Sequence, residues 1–164
     1  LDATLARLLE PRTSSPAARL RTITTLSDAG IPVRAMLAPI IPGLTDSEIP
    51  AILEAVADAG ALSASWQMLR LPLAVEPIFL DWVSHTLPNA AERVISRIRS
   101  VRNGELSDTQ FGRRMTGTGP MAEQIRTAFD VFAGRHGLDQ RLPPLSAKAF
   151  RPPTPTSGQL RLFS

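Results

Sequence analysis

Four arginines and a set of closely spaced glycines are the first residues to weigh for chemistry. In "FGRRMTGTGP", Arg113 and Arg114 stand beside Gly117 and Gly119. Guanidinium groups next to open backbone amides suit a phosphate or a nucleic-acid backbone. The stretch is not a P-loop, because no Gly-Lys-Ser/Thr follows it. The alternative is a loop that packs a helical extension onto the rest of the protein, and both readings stand. Arg70, in "SASWQMLRLP", sits in an apolar strand, where a guanidinium needs a partner or water. Arg12 lies in the turn "EPRTSSP". Elsewhere, "MLAPIIPGLTDSEI" carries an apolar strand into Pro42-Gly43, where the side chains shrink and the backbone lies open.

Other chemistries are excluded or weak. The 164 residues contain no cysteine, so disulfides, thiol nucleophiles and Cys-ligated metals are absent from this chain. His85 and His136 have no partner at ligand spacing, and tyrosine is absent. Asp46, Glu48 and Asp58 fit capping and solvent-face roles better than acid–base catalysis. The net charge of +3 is modest, and Lys148 is the only lysine, so the cations are almost all arginine. No apolar run reaches the length of a membrane span, and a cytoplasmic location is the expectation.

The elements that must position these residues follow from periodicity. Leu5, Leu8 and Leu9 mark a short helix ended by Pro11. A second helix covers 16–29, with Ser14 or Ser15 as cap and Gly30 as its stop. "VRAMLAPII" has the near-continuous apolarity of a strand covered on both faces. A helix over 47–59, capped by Thr45 or Asp46, precedes a second strand over 63–72. Helix–strand alternation of this kind predicts parallel βα units. Helices at 76–86 and 90–102, the Gly-rich loop, a helix at 120–136 and a Pro-rich tail complete the chain. The expected division is 1–75 for the βα units, 76–138 for a helical extension and 139–164 for the tail. Two parallel strands cannot form an independent sheet, so further strands are expected upstream or in a partner.

In order, "LEPRTSSPAARLRTITTLSDAGIPVRAMLAPIIPGLTDSE", "LRLP", "GELSDTQFGRRMTGTGP" and "FRPP…GQLRLF" resemble the C-terminal half of a radical S-adenosylmethionine domain. The likeness is to the spore photoproduct lyase-like branch, whose members are often labelled DNA repair photolyases. It implies an α/β fold, the C-terminal portion of a partial (β/α)6 barrel, followed by the helical extension and tail. It also implies S-adenosylmethionine as cofactor and a 4Fe–4S cluster that generates a 5′-deoxyadenosyl radical. The cluster's three-cysteine loop is missing here, so the cluster would belong to the complete parent protein, with the missing N-terminal half of the barrel as partner. This chain alone is then expected to be inactive.

The same resemblance assigns cofactor-binding residues. Ile41 and Gly43 match an adenine-contacting stretch at a strand end; Asp46 stands for a glutamate, and Pro39 departs from a glycine. Leu69, Arg70 and Leu71 would offer the next strand's edge to the adenine. Arg12 matches a basic position that pairs with the cofactor's carboxylate, whereas Arg19 reads as a surface or salt-bridge residue. A second resemblance is in the tail: Gln159, Leu160, Leu162 and Phe163 of "QLRLF" are similar to the pentapeptide by which bacterial proteins dock on the replication sliding clamp. The competing reading is a non-catalytic module that binds DNA or the clamp.

Overall fold

Proline and glycine placement sets the element boundaries in the computed structural model, which describes residues 1–144 and 146–151. Among these, α1 (Ala3–Leu9) and α2 (Pro16–Asp28) precede β1 (Arg34–Ile40), α3 (Ile49–Asp58) and β2 (Ser63–Met68). Three helices follow: α4 (Val75–Thr86), α5 (Pro88–Ser100) and α6 (Pro120–Arg135). No helix among the described residues is long and apolar enough to cross a membrane.

Local signals set the ends of α1 and α2, in α2 as the sequence predicts. Asp2 caps α1 by accepting from the Thr4 and Leu5 amides, and Ser15 accepts from the Ala18 amide at the start of α2. Gly30 leaves α2 with φ +73°, while Ile31 N–H donates to Leu26 O at 2.9 Å. The start of α3 differs from expectation. Asp46–Glu48 form a 3-10 turn, and neither Thr45 nor Asp46 caps a helix. Pro50 has no N–H to give to the carbonyl four residues back, so a continuous α-helix from 47 has no bond to close it there.

β1 and β2 pair in parallel, Arg34 with Ser63 through Leu37 with Trp66, then Ile40 with Met68. Three residues of β1 therefore oppose two of β2 across the Ala38–Pro39 step, where the peptide bond is cis. Pro39 supplies no ladder donor, which suits it to such an irregularity. The second strand ends at Met68, four residues short of the expected end. Leu69 N–H still donates to Ile40 O at 2.9 Å, but Pro72 and Leu73, at φ +43°, turn the chain into α4.

Two apolar cores meet along the strand ends. In the first, Ala35, Leu37, Ile40 and Met68 pack beneath Leu53 of α3 and Ile125 and Phe129 of α6. In the second, Ile41, Leu69 and Leu71 lie beneath Phe79 and Val83 of α4 and Val94 and Ile98 of α5. α6, part of the expected extension, packs on the sheet and builds part of its helical layer. One expectation is corrected here. β1 is covered on one face only: Ala35 and Leu37 are buried, whereas Arg34, Ala38 and Met36 are exposed, Met36 by 65%. Both faces of β1 are apolar in sequence, and within this chain one has its cover.

Candidate functional site

The carboxyl ends of β1 and β2 carry most of the residues singled out by sequence. The turn after β1 is closed by its own side chains: Thr45 Oγ1 accepts from the Ile41 amide at 2.8 Å, and Asp46 Oδ1 from the Gly43 amide at 2.7 Å. Asp46 thus holds the turn together. Gly43 has φ +80°, which a side chain disfavours. The space in front of it is taken by the protein itself, since a Cβ there would stand 2.7 Å from Cδ of Arg97 on α5. Arg97 Nη1 also comes within 3.9 Å of Asp46 Oδ2. The room left by Gly43 is thus filled by an arginine stem. Gly43→Ala is expected to cost about 1–2 kcal/mol, chiefly from backbone strain, because Arg97 is half exposed and can swing away. Thermal unfolding measures this loss.

A cavity of about 560 Å³ lies between β1 and the helices α1 and α2. Its size falls in the ordinary range for small-molecule sites, about 300–1,000 Å³. Leu5, Leu9, Leu20 and Ile23 line one side, and Ile41, Leu69 and Phe79 close the end near the strand tips. Ile41 and Leu69 therefore reach the cavity while also packing in the second core. Gly43, Leu71, Arg70 and Arg12 are not on its wall. Leu71 is fully buried under α4 and α5, Arg70 is half buried, and Arg12 is exposed in the α1–α2 turn. Arg19, read as a salt-bridge residue, does pair with Glu10, and both line the cavity. The hydrogen bond from Arg19 holds the Glu10 carboxyl below its usual pKa against a smaller opposing effect of burial.

The Gly-rich loop is anchored by a residue that sequence reasoning passed over. Arg102, only 2% exposed, donates through Nη2 to Leu69 O at 2.6 Å and through Nη1 to Arg113 O at 3.3 Å. It therefore ties the end of β2 to the loop, while Met68 N–H donates to Met115 O at 2.8 Å. Burial pulls the Arg102 pKa below that of a free guanidinium, with Asp108 opposing and Arg70 adding to the effect. A signal was present: Arg102 continues the buried α5 stripe Ala91, Val94 and Ile98 by one turn.

Arg113 and Arg114 fall in this loop, each with a local partner. Arg113 Nε lies 3.2 Å from Asp108 Oδ2, a charge contact at an angle too poor for a hydrogen bond. The Arg114 guanidinium sits 5.4 Å from the Phe111 ring centre, and Phe111 is 86% exposed. Asp108 is held below its ordinary pKa of 3.8, first by the Gln110 amide, with Arg113 and Arg102 assisting. A depressed carboxyl stabilises the fold at pH above its unfolded value, and that contribution disappears as pH falls through its folded value. Loop amides 103–119 are therefore expected to lose hydrogen-exchange protection below about pH 4. Asp108→Asn should lack that acid step; a variant retaining it would place the titration elsewhere.

His85 is exposed and lies 3.3 Å from Asp81, one turn earlier on α4. No cluster of three metal-ligating side chains occurs among the described residues. The clamp-like Gln159, Leu160, Leu162 and Phe163 lie outside the described residues, as does most of the tail.

No family model matches the chain, and no solved structure matches it. Similar sequences occur in Mycobacterium tuberculosis and Mycobacterium bovis, in proteins called uncharacterized. Each is 29% identical over 153 residues, covering 91% of this chain and 44% of the mycobacterial protein. The chain thus spans less than half the length of the curated relatives it matches.

Proposed function

We propose that the chain is the C-terminal portion of a radical S-adenosylmethionine domain of the spore photoproduct lyase-like branch, supplying one wall of the adenosyl site. The observation that carries this reading is the Leu69 N–H to Ile40 O bond of 2.9 Å. It sets the two strand tips side by side, so that Ile41 and Leu69 close the same end of the cavity. Ligands of parallel sheets commonly bind at the carboxyl ends of the strands. A purine laid there would gain apolar contact from the Ile41 and Leu69 side chains; both backbone groups of Leu69 are already taken, by Ile40 O and by Arg102. Arg12 and Arg70 would have to turn toward the cavity to join it, and Gly43 serves Arg97 instead.

The chain has no cysteine, so its residues do not fit a 4Fe–4S cluster, whose ligands this reading assigns to the remainder of the protein. S-adenosylmethionine, when bound, supplies the adenosyl group for radical chemistry; the residues described here bind one face of it and keep water away. A cytoplasmic setting belongs to the same reading. The decisive experiment uses the complete protein, reconstituted with iron and sulfide without oxygen, and measures 5′-deoxyadenosine after reduction with dithionite. Its formation is expected. An upstream sequence without a three-cysteine loop, or no 5′-deoxyadenosine, rejects the reading.

A second reading, nucleic-acid binding by the Gly-rich loop, draws on one observation: Phe111 is exposed with Arg114 stacked against it. Exposed aromatic rings beside arginine suit single-stranded bases. Salt-dependent retention on single-stranded DNA, lost in Phe111→Ala, is the expected result; retention unchanged in that variant discards it.

A further inference from the structure

Three arginines converge where β2 ends. Arg102, 2% exposed, spans the gap between two stretches of main chain, donating to Leu69 O at 2.6 Å and to Arg113 O at 3.3 Å. Leu69 O belongs to the peptide group that joins Leu69 to Arg70. One buried guanidinium therefore touches the backbone of two further arginines. The carboxylate that meets this group is Asp108, 3.2 Å from Arg113 Nε and held in its own turn by the Gln110 amide at 2.8 Å. Among the described residues Arg70 and Arg102 form no ion pair, and Arg102 Nε has no hydrogen-bond partner. Glu105, whose N–H donates to Arg102 O, is exposed and forms no ion pair either.

Three positive charges thus face one negative charge. Burial makes the imbalance count. Like charges repel more strongly where water is excluded, and salt screens a buried charge less than an exposed one. Burial lowers the Arg102 pKa most; Asp108 opposes this and Arg70 adds to it, so both charges act on the buried group. An added anion relieves the repulsion.

We propose that Arg70 and Arg113, backed by Arg102, form a site at the carboxyl end of β2 for the phosphate group of a ligand. Direction supports it first. Arg70 alternates with Leu69 and Leu71, which both enter the second core, so its side chain leaves on the opposite side. It is half buried there and away from the cavity wall. The Arg113 side chain is 42% exposed, which leaves its terminal nitrogens within a ligand's reach. Chemistry selects phosphate next. A carboxylate has one charge and two oxygens, which a single guanidinium fork satisfies. A phosphate monoester carries about two charges and three acceptor oxygens, enough for two forks at once. Arg102 touches no ligand in this arrangement; it fixes the two backbones and adds its field. Strand ends of this kind commonly take ligands in parallel sheets. The site requires neither the adenosyl reading nor base stacking on Phe111.

Titration of the complete protein with inorganic phosphate at fixed ionic strength tests the site, with arginine Nε–H resonances followed by NMR. The Arg70 and Arg113 resonances are expected to shift together, with one dissociation constant, while acetate at the same ionic strength shifts neither. Arg70→Gln, checked as folded by its thermal midpoint, should weaken phosphate binding by about tenfold. Arg70→Lys should restore part of that loss, since it keeps the charge without the fork. Three results overturn the inference: no shift at Arg70 or Arg113 in the parent protein, binding unchanged in Arg70→Gln, or acetate matching phosphate. Two more probes identify the source of the phosphate. An abasic oligodeoxynucleotide that binds more tightly than inorganic phosphate points to a nucleic-acid backbone, and glycerol phosphate doing so points to a small phosphomonoester; either supports the site. The other two readings fail separately, by the absence of 5′-deoxyadenosine or of retention on single-stranded DNA, and neither failure moves these shifts.

Discussion

Arg102→Ala is expected to destabilise the protein by about 2–4 kcal/mol and to release the Gly-rich loop from the end of β2. Two carbonyls, Leu69 O and Arg113 O, lose their guanidinium donor together, and the first of them is buried. Leaving a buried acceptor unpaired costs about 1–3 kcal/mol, to which the vacated side-chain volume adds. One effect opposes the loss: removing a guanidinium that burial disfavours relieves its desolvation. Arg102→Met separates these contributions, since it keeps much of the volume without the charge, and it should recover part of the loss. Arg102→Lys should recover less than its charge suggests, because one ammonium lacks the planar fork that reaches both carbonyls. Denaturant unfolding gives the free energies, and exchange at 103–119 reports the loop. Arg102→Ala within about 0.5 kcal/mol of the parent protein would show that the loop is held by other contacts.

The same residue shows where sequence reading reached its limit. Ser15 and Gly30 act within one turn of the helix ends they set, so their roles could be read along the chain. Arg102 is bound to Leu69, thirty-three positions away, and no local pattern states that partner. Gly43 illustrates the point from the other side. Its need for a missing Cβ was legible, but a purine and an arginine stem both satisfy it, and the docking of α5 supplies Arg97. The apolarity of β1 was likewise legible on both faces. Which face is covered is decided by the packing of α3 and α6, which local pattern does not state.

For the candidate site, sequence placed Ile41 and Leu69 at neighbouring strand ends, where the register of a parallel pair puts them. It grouped Arg12, Arg70 and Leu71 with them through resemblance alone, and the cavity wall does not include those three. Side-chain direction sets Arg70 apart from its two leucine neighbours, and position along the chain separates those two. Alternate residues along an extended segment point to opposite sides. Leu69 and Leu71 both enter the second core, while only Leu69 also reaches the cavity.

The interdependence of the two cores makes Phe129→Ala the second large effect, about 3–5 kcal/mol. Phe129, 5% exposed, lies 6.2 Å from Trp66 across the contact between α6 and β2. Trp82 sits in the other layer, 5.8 Å from Phe79. Consecutive residues belong to different cores: Ile40 and Met68 to the first, Ile41 and Leu69 to the second. Loosening the first core therefore withdraws support from the strand ends on which α4 and α5 rest. In variants retaining only Trp66 or only Trp82, Phe129→Ala should lower both unfolding midpoints by the same amount, as one cooperative unit requires. A fall at Trp66 with Trp82 unmoved would mean that α4 and α5 fold separately from the sheet. That outcome would support the boundary expected near residue 75, with α6 on the sheet's side of it.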